Sequence, residues 1–274
     1  MNLNLIFDIG MHDGTDTDFY LRKGFKVVAI EANNDLCDLA REKFKNQIES
    51  DQLVVINAIV GSDQDEMTLF KNIKNTQWST TKKSWLDRNN QMGALSVQEN
   101  VRCIKLLELI KEYGCPYYIK IDIEGSDYDA LLDLKESNEL PYFISFELSK
   151  FSIWNVVNEF KLINELGYKN FKLIPQHLVH QQKPPYPSLE GCYADPYFNW
   201  ASSGLFGREL PNSWLGIRFA FIKYIPVIIR HHLVGDYAKA NFPKISYLLR
   251  KILGKPGWHD LHACRKNFYT EDIK

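Results

Sequence analysis

Short apolar runs and segments of helical periodicity alternate through about the first sixty residues of the chain. The apolar runs are rich in valine and isoleucine, which is typical of buried strands. The predicted strands are Leu5–Asp8, Lys26–Glu31 and Leu53–Val60, and the predicted helices are Thr15–Lys23 and the segment that follows the Asn33-Asn34 cap. This order predicts parallel strands joined by right-handed crossovers.

The alternation resumes after an interruption in the middle of the chain. The later predicted strands are Thr68–Phe70, Tyr117–Ile123, Tyr142–Leu148 and Phe171–Ile174, and the helices are Lys105–Tyr113, Asp127–Lys135 and Asn155–Leu166. We expect a loop or an insertion over Thr76–Ala94 and an ordered loop region over Gln176–Trp214, followed by two helical segments, the second beginning at Pro243. The pattern predicts a doubly wound α/β fold, whose ligands bind beyond the carboxyl ends of the strands.

Polar side chains end most of the predicted strands. They are Asp8, Glu31, Asn57, the pair Asp122 and Glu124, and Glu147. Because the carboxyl ends of parallel strands share one edge of a sheet, we expect these groups to converge on a single rim.

The loop after the first strand reads Asp8-Ile9-Gly10-Met11-His12-Asp13-Gly14, and its glycines permit a tight turn close to a ligand. Asp13, Asp16 and Asp18 crowd the start of the next helix, where a dinucleotide-binding protein holds a pyrophosphate. Each carboxylate would repel phosphate by roughly 1 kcal/mol in water but would attract a cation. The loop therefore favours S-adenosylmethionine (SAM), a sulfonium nucleoside, over a nicotinamide dinucleotide. A plain βα turn with a capping aspartate is the alternative.

Two further motifs carry candidate site residues. Glu31 lies at the end of the second strand. In nucleotide-binding α/β folds a carboxylate at this position binds both hydroxyls of a ribose, and a solvated acid at a strand end is the alternative. Lys120-Ile121-Asp122-Ile123-Glu124-Gly125 places a lysine and an acid on one face of a central strand. Such charges are costly to bury unpaired, so they indicate either a site or a structural ion pair.

The candidate general bases are Asp122 and Glu124, followed by His177 and His180. The His177-x-x-His180 spacing is compatible with a metal site, but the sequence shows no evident third ligand. We therefore expect no metal ion. His12, His259 and His262 are placed in predicted loops. The aromatic-rich stretch Tyr193–Phe206 either stacks on a flat or sugar-like substrate or packs beneath a long loop.

Composition and charge limit the class of protein. The chain of 274 residues is 45% apolar and 24% charged, as is usual for a globular protein. Its five cysteines are scattered and odd in number, and no leader precedes the first strand, so we expect a reducing, cytoplasmic location. Charged residues and a proline interrupt the apolar stretch Trp214–Val234, which argues against a membrane span.

Charge is distributed unevenly. Residues 215–274 carry 11 lysines and arginines against four acids. We predict a SAM-binding domain over residues 1–214 and a basic helical extension over 215–274 packed on it. The extension either meets a membrane or partner or is a solvated face that balances an acidic body. We expect no nucleic-acid partner, and the sequence leaves the oligomeric state open.

The motifs resemble those of the FkbM family of SAM-dependent methyltransferases. The resemblance is carried by Asp8–Gly14, Val28–Ala32 and Lys120–Gly125, and also by Phe171–Gln176, Ser202–Gly207 and Trp258–His262. It implies a class I methyltransferase (Rossmann-like) fold, with a mostly parallel seven-stranded sheet that includes one antiparallel strand.

The same resemblance implies roles for individual residues. Asp8, Gly10 and Gly14 would contact the methionine part of SAM, Glu31 its ribose, and Asp122 its amine or the acceptor. His12, Asp13 and Asn57 complete the predicted cofactor-binding set. Members of the family resemble O-methyltransferases of sugars or secondary metabolites, so a small-molecule or glycan acceptor is expected. A nicotinamide-dependent oxidoreductase and a non-catalytic binding protein are the alternatives.

Overall fold

The computed structural model describes residues 1–123, 125–150, 152–199, 202–235, 243–254 and 256–265. The strands are β1 Asn2–Ile9, β2 Lys26–Glu31, β3 Leu53–Asn57, β4 Ile59–Val60, β5 Glu66–Asn72, β6 Ser96–Ile104, β7 Pro116–Ile121, β8 Phe143–Glu147, β9 Asn170–Pro175 and β10 His259–Cys264. The helices are α1 Thr15–Arg22, α2 Asn34–Lys43, α3 Lys45–Glu49, α4 Lys83–Gln91, α5 Leu106–Tyr113, α6 Asp127–Asp133, α7 Ile153–Glu165, α8 Ile217–Val234 and α9 Pro243–Leu253.

Seven strands form the main sheet in the order β3-β2-β1-β7-β8-β10-β9. All of its pairings are parallel except those of β10, which runs antiparallel to both β8 and β9. The expected fold, a doubly wound and mostly parallel seven-stranded sheet with one antiparallel strand, is confirmed.

Two hydrophobic layers cover the two faces of this sheet. Along β1, Leu5, Phe7 and Ile9 point into one layer and Ile6 into the other, because successive strand side chains alternate. The first layer is completed by helices that include α5, α6 and α7, and the second by α1 and α2. Burial of both faces explains why the strand sequences are short, continuous apolar runs.

A three-stranded sheet, β4-β6-β5, interrupts the alternation. The single strand predicted over Leu53–Val60 is wrong in detail, because the chain leaves the main sheet at Asn57 and Ile59 pairs with Cys103 of β6. Of the loop and the insertion predicted for Thr76–Ala94, the structure has the insertion, which contains a 3₁₀ turn and α4. α4 is mostly polar, and its apolar face is too weak for the helix to be evident in the sequence.

The end of the chain contributes both to the sheet and to its cover. The loop predicted for His259 and His262 is wrong. Both residues lie on β10, which is hydrogen-bonded between β8 and β9. The two predicted C-terminal helices are α8 and α9, and α8 packs against α7 and β9. Among the described helices none has the length and apolarity required to cross a bilayer.

Candidate active site

A cavity of about 560 Å³ opens at the carboxyl edge of the main sheet. The loop after β1 contributes Gly10 to its wall, β2 contributes Glu31, the residue after β7 is Asp122, and β8 contributes Glu147. The predicted convergence on one rim is confirmed for the three acids.

Gly10 brings the loop after β1 against the loop after β7. Its φ is +84°, and a Cβ built on it would lie 1.9 Å from the carbonyl oxygen of Asp122. The Gly10 N–H donates to the Ile30 carbonyl over 2.8 Å, and the Asp122 N–H donates to the Ile9 carbonyl over 2.9 Å. Only glycine lets these backbones meet at the cavity wall.

Glu31 presents a carboxylate that the backbone already orients. Its Oε2 accepts from the His12 N–H over 2.9 Å, and its Oε1 accepts from the Asn33 N–H over 2.8 Å. The Asn57 amide donates to the carbonyls of Glu31 and Ala32, so Asn57 supports this strand end without lining the cavity. Burial raises the pKa of Glu31. Each of its oxygens keeps a lone pair for a ligand hydroxyl.

A buried ion pair supports the first loop. Lys120 Nζ lies 3.1 Å from Asp8 Oδ1 and donates to the Gly10 carbonyl over 2.8 Å. Burial alone would lower the pKa of Lys120, but neighbouring carboxylates, Asp8 foremost, raise it. Asp8, predicted to contact the cofactor, does not line the cavity and instead holds Lys120 and the Thr17 hydroxyl.

Asp16 on α1 places a buried, unpartnered carboxylate oxygen on the cavity wall. The residue is 3% exposed, and its Oδ2 accepts from the Ser203 N–H over 2.8 Å and lies 3.8 Å from Lys120 Nζ. Its Oδ1 has no hydrogen-bond partner in the described protein. Burial raises the pKa of Asp16 to about 7. A buried acceptor beside a cavity indicates where a ligand donor or cation would bind.

The start of α1 is capped by its own loop. The Thr15 N–H donates to Asp13 Oδ1 over 2.9 Å, and the Gly14 N–H donates to the Met11 carbonyl over 3.0 Å. These are donors that a bound phosphate would require. Asp13 lines the cavity, whereas Gly14, also predicted to contact the cofactor, packs against the Phe44 ring outside the wall.

Carboxylates dominate the polar wall. Burial raises the pKa of Asp122, and Lys120 offsets part of that rise. Glu147 forms an ion pair with Lys150, and burial raises the pKa of Asp260 on β10 well above its usual value. Among the described residues the wall carries six acidic side chains against four lysines and arginines, so it offers many acceptor oxygens to a ligand that donates hydrogen bonds or carries positive charge. The candidate base Glu124 lies outside the described residues.

A family model decides the class of protein. Residues 8–173, more than half of the chain, match the methyltransferase FkbM domain. The chain belongs to the FkbM methyltransferase family. It is therefore a methyltransferase that uses SAM as its cofactor. This confirms the family resemblance.

More distant likenesses were found among solved structures, and no curated protein matches the chain. A precorrin-6y C5,15-methyltransferase from Geobacter metallireducens is 9% identical, with a TM-score of 0.36, over 64% of this chain and 68% of its own. A protein described as a sarcosine dimethylglycine methyltransferase from Galdieria sulphuraria is 11% identical, with a TM-score of 0.40, over 97% and 79%. A SAM-dependent methyltransferase from Archaeoglobus fulgidus is 12% identical, with a TM-score of 0.35, over 96% and 86%. At these TM-scores the likenesses say nothing about the acceptor.

Residues that the sequence did not identify complete the wall of this FkbM methyltransferase. The segment between β5 and β6, which includes α4, contributes Trp78 and Trp85. Trp85 packs on Gly125, where a Cβ would lie 3.0 Å from the indole and where φ is +97°. Gln176 follows β9 and is 5% exposed, and its amide nitrogen has no hydrogen-bond partner in the part of the chain that the structure describes. Nothing in the spacing of the two tryptophans along the chain assigns them to the site.

Other candidates lie elsewhere. His177 and His180 are exposed and do not line the cavity, whereas His12 does, with Nε2 2.8 Å from Thr76 Oγ1. Phe206 stacks on Tyr118 with ring centroids 4.9 Å apart, so this part of the aromatic stretch packs in the core. Within the described ranges no three His, Cys, Asp or Glu side chains are arranged to hold a metal ion.

Proposed function

We propose that this methyltransferase methylates a hydroxyl oxygen of a sugar, glycan or secondary metabolite, with Asp122 as the general base. The observation that carries the proposal is the Asp122 carboxylate on the cavity wall, beside the Gly10 turn, with a raised pKa. A base works best when its pKa lies near the operating pH, and burial moves Asp122 in that direction.

The residues present fit the cofactor. Glu31 offers two oriented oxygens to a ribose diol, and the Gly10 turn leaves room for close contact. We assign Asp16 Oδ1 to the methionine ammonium, because no described residue donates a hydrogen bond to this buried oxygen. When bound, SAM supplies an electrophilic methyl group on a positively charged sulfur. The capped start of α1 offers little to a pyrophosphate.

We assign the acceptor to the part of the cavity wall that carries Gln176 and Trp258. Gln176 offers a buried amide, and Trp258 offers an indole within 5.9 Å of Lys150 Nζ. A hydroxylated ring would hydrogen-bond to the amide and pack on the indole. Asp122 would then accept the hydroxyl proton as the oxygen attacks, and the wall would hold that oxygen in line with the methyl carbon.

Methyl transfer into fractionated extract tests the reaction. Tritium-labelled SAM is incubated with the purified chain, and the labelled product is isolated and hydrolysed. We expect the label in an ether linkage, which survives mild alkali, on a hydroxylated small molecule or glycan. Label in an alkali-labile ester or on nitrogen or carbon would overturn the assignment to a hydroxyl.

Calorimetric titration of SAM tests the binding assignment. Asp16→Asn removes the charge that would face the ammonium, and hydrogen bonds to charged groups contribute about 1.5–3 kcal/mol, so affinity should fall roughly 10- to 100-fold. Asp18→Asn is the matched control, because Asp18 lies on the same helix and pairs with Arg22 over 2.8 Å. Equal affinities for the two variants would contradict the role of Asp16.

A further inference from the structure

The two C-terminal helices expose a large apolar surface. Its side chains, between 43% and 74% exposed, are Phe219, Ile222, Ile229 and Leu233 on α8 and Ile245, Tyr247, Leu248 and Ile252 on α9. The helices pack against each other. Together these residues form what we name the α8–α9 surface. Contiguous exposed apolar patches mark sites of interaction.

On α8 the exposed residues form a stripe that is separate from the core face. Phe219, Ile222, Ile229 and Leu233, with the exposed Pro226, recur at alternating intervals of three and four residues. At 100° per residue they point away from the buried side chains Ala220, Tyr224 and Ile228. The helix therefore has two apolar faces, only one of which the described protein covers. On α9, Ile245, Leu248 and Ile252 repeat the same spacing opposite the buried Ser246.

Basic side chains border the stripe. On the helical projection of α8, exposed Arg218 lies on one side of the stripe, and exposed Lys223 and Arg230 lie on the other. On α9, Lys244 and Lys251 are exposed beside the apolar residues. Neither helix contains an aspartate or glutamate. The surface is thus apolar at its centre and uniformly positive at its edges.

We propose that the α8–α9 surface binds an anionic lipid membrane. A helix that lies in the membrane interface buries an apolar face among the acyl chains and keeps lysines and arginines at the headgroups, which is the arrangement found here. A second copy of the chain fits less well, because a two-fold contact would bring the same unbalanced positive edges together. On their other side the helices contribute His231 and Arg250 to the cavity wall, so the surface adjoins the active site.

Sedimentation of the full chain with vesicles tests the proposal without any methyl transfer. We expect binding to vesicles that contain phosphatidylglycerol, weak binding to phosphatidylcholine alone, and loss of binding as salt is raised. Each lysine or arginine near such a surface contributes about a fivefold gain in partitioning. Lys223→Gln, Arg230→Gln and Lys251→Gln together should therefore weaken binding on the order of 100-fold.

Apolar variants complete the test. Phe219→Ser with Ile222→Ser should lower partitioning at least about tenfold, because each removes a large side chain from the interface. Leu39→Ser with Ile73→Ser is the matched control, since these residues are 61% and 62% exposed outside the surface. Equal losses in both pairs, or equal binding to both lipids, would overturn the proposal. So would a dimer in solution, or binding to an acidic protein but not to vesicles, that the surface variants abolish.

Discussion

Asp122 differs from the other acids of the cavity wall in what surrounds it. Glu147 is neutralised by Lys150 and Glu31 accepts from two backbone N–H groups, whereas no N–H group of the described residues donates to the Asp122 carboxylate. Burial raises its pKa, while Lys120 limits the rise. A carboxylate whose pKa is raised is a stronger base toward a hydroxyl proton than an ordinary aspartate.

This predicts a pH dependence of methyl transfer. The base acts only when ionised, so kcat/KM should fall as pH drops through the raised pKa, above the usual value of about 4 for aspartate. Asp122→Asn should lower kcat by roughly 10²–10⁴-fold and remove that acid limb. Rates of labelled methyl transfer between mildly acidic and neutral pH, with SAM affinity from calorimetry, provide the check. An unchanged acid limb in Asp122→Asn would assign the base elsewhere, and Glu147→Gln should leave the limb in place.

Two glycines with the same left-handed backbone conformation distinguish the cost of backbone strain from the cost of a steric clash at the cavity. Gly10 and Gly93 have φ of +84° and +83°, but a Cβ would strike the Asp122 carbonyl at Gly10 and meet nothing at Gly93. Gly93→Ala should cost only about 1–2 kcal/mol of stability, for the left-handed backbone. Gly10→Ala should cost more and should also weaken SAM binding. Thermal unfolding and calorimetry measure both effects, and indistinguishable variants would show that the close approach has no role in the site.

At the level of elements, the sequence indicates the strands and helices that have a strong apolar pattern of their own. It does not indicate the elements that form only through contacts with neighbouring parts of the fold. β1, β2 and β7 were evident because each is an apolar run buried on both faces. β10 was not, since its His259-Asp260-Leu261-His262 sequence is polar and becomes a strand only by pairing with β8 and β9. The site follows the same rule. Glu31 and Asp122 end evident strands, and Asp16 belongs to the acidic cluster that the sequence places at the start of α1. Gln176 and Trp85, in contrast, reach the cavity through tertiary packing that no local pattern encodes.

β10 also has a consequence for acid stability. His262 is 2% exposed, faces Lys172 across the sheet, and has a pKa lowered to about 3, chiefly by burial. The unfolded chain binds this proton below about pH 6.5 and the folded chain does not, so folding should lose up to roughly 1.4 kcal/mol per pH unit as pH falls from there.

His262→Gln should reduce that slope between about pH 6.5 and 4, measured as unfolding free energy in denaturant at each pH. The exposed His180 provides the matched control, and His180→Gln should leave the slope unchanged. The slopes of the variants are compared because buried acids such as Asp260 and Glu159 have an opposite effect on stability at low pH. Their raised pKa values favour the folded state as pH falls. A slope identical to that of the parent chain would show that His262 is protonated in the fold.

At the scale of the whole molecule, the C-terminal part has two roles. The sequence predicted a helical extension over 215–274 packed on a domain of 1–214. In the structure α8 buries Ala220, Tyr224 and Ile228 in one core layer, and β10 lies within the main sheet. The exposed faces of α8 and α9 carry lysines and arginines and no aspartate or glutamate. Residues that complete the fold and residues available to a partner therefore alternate along the same segment, and composition alone does not separate them.

A chain ending at residue 214 should therefore fail to fold as a stable monomer. Without β10, β8 and β9 lose the strand that joins them in the sheet, and one core layer loses the side chains of α8. The expected result is loss of the cooperative thermal transition and of SAM binding, measured by circular dichroism and calorimetry. A chain ending at residue 265 retains every described element and should keep both properties. Cooperative unfolding and SAM binding by the shorter chain would show instead that residues 1–214 are an independent domain and that β10 is dispensable to it.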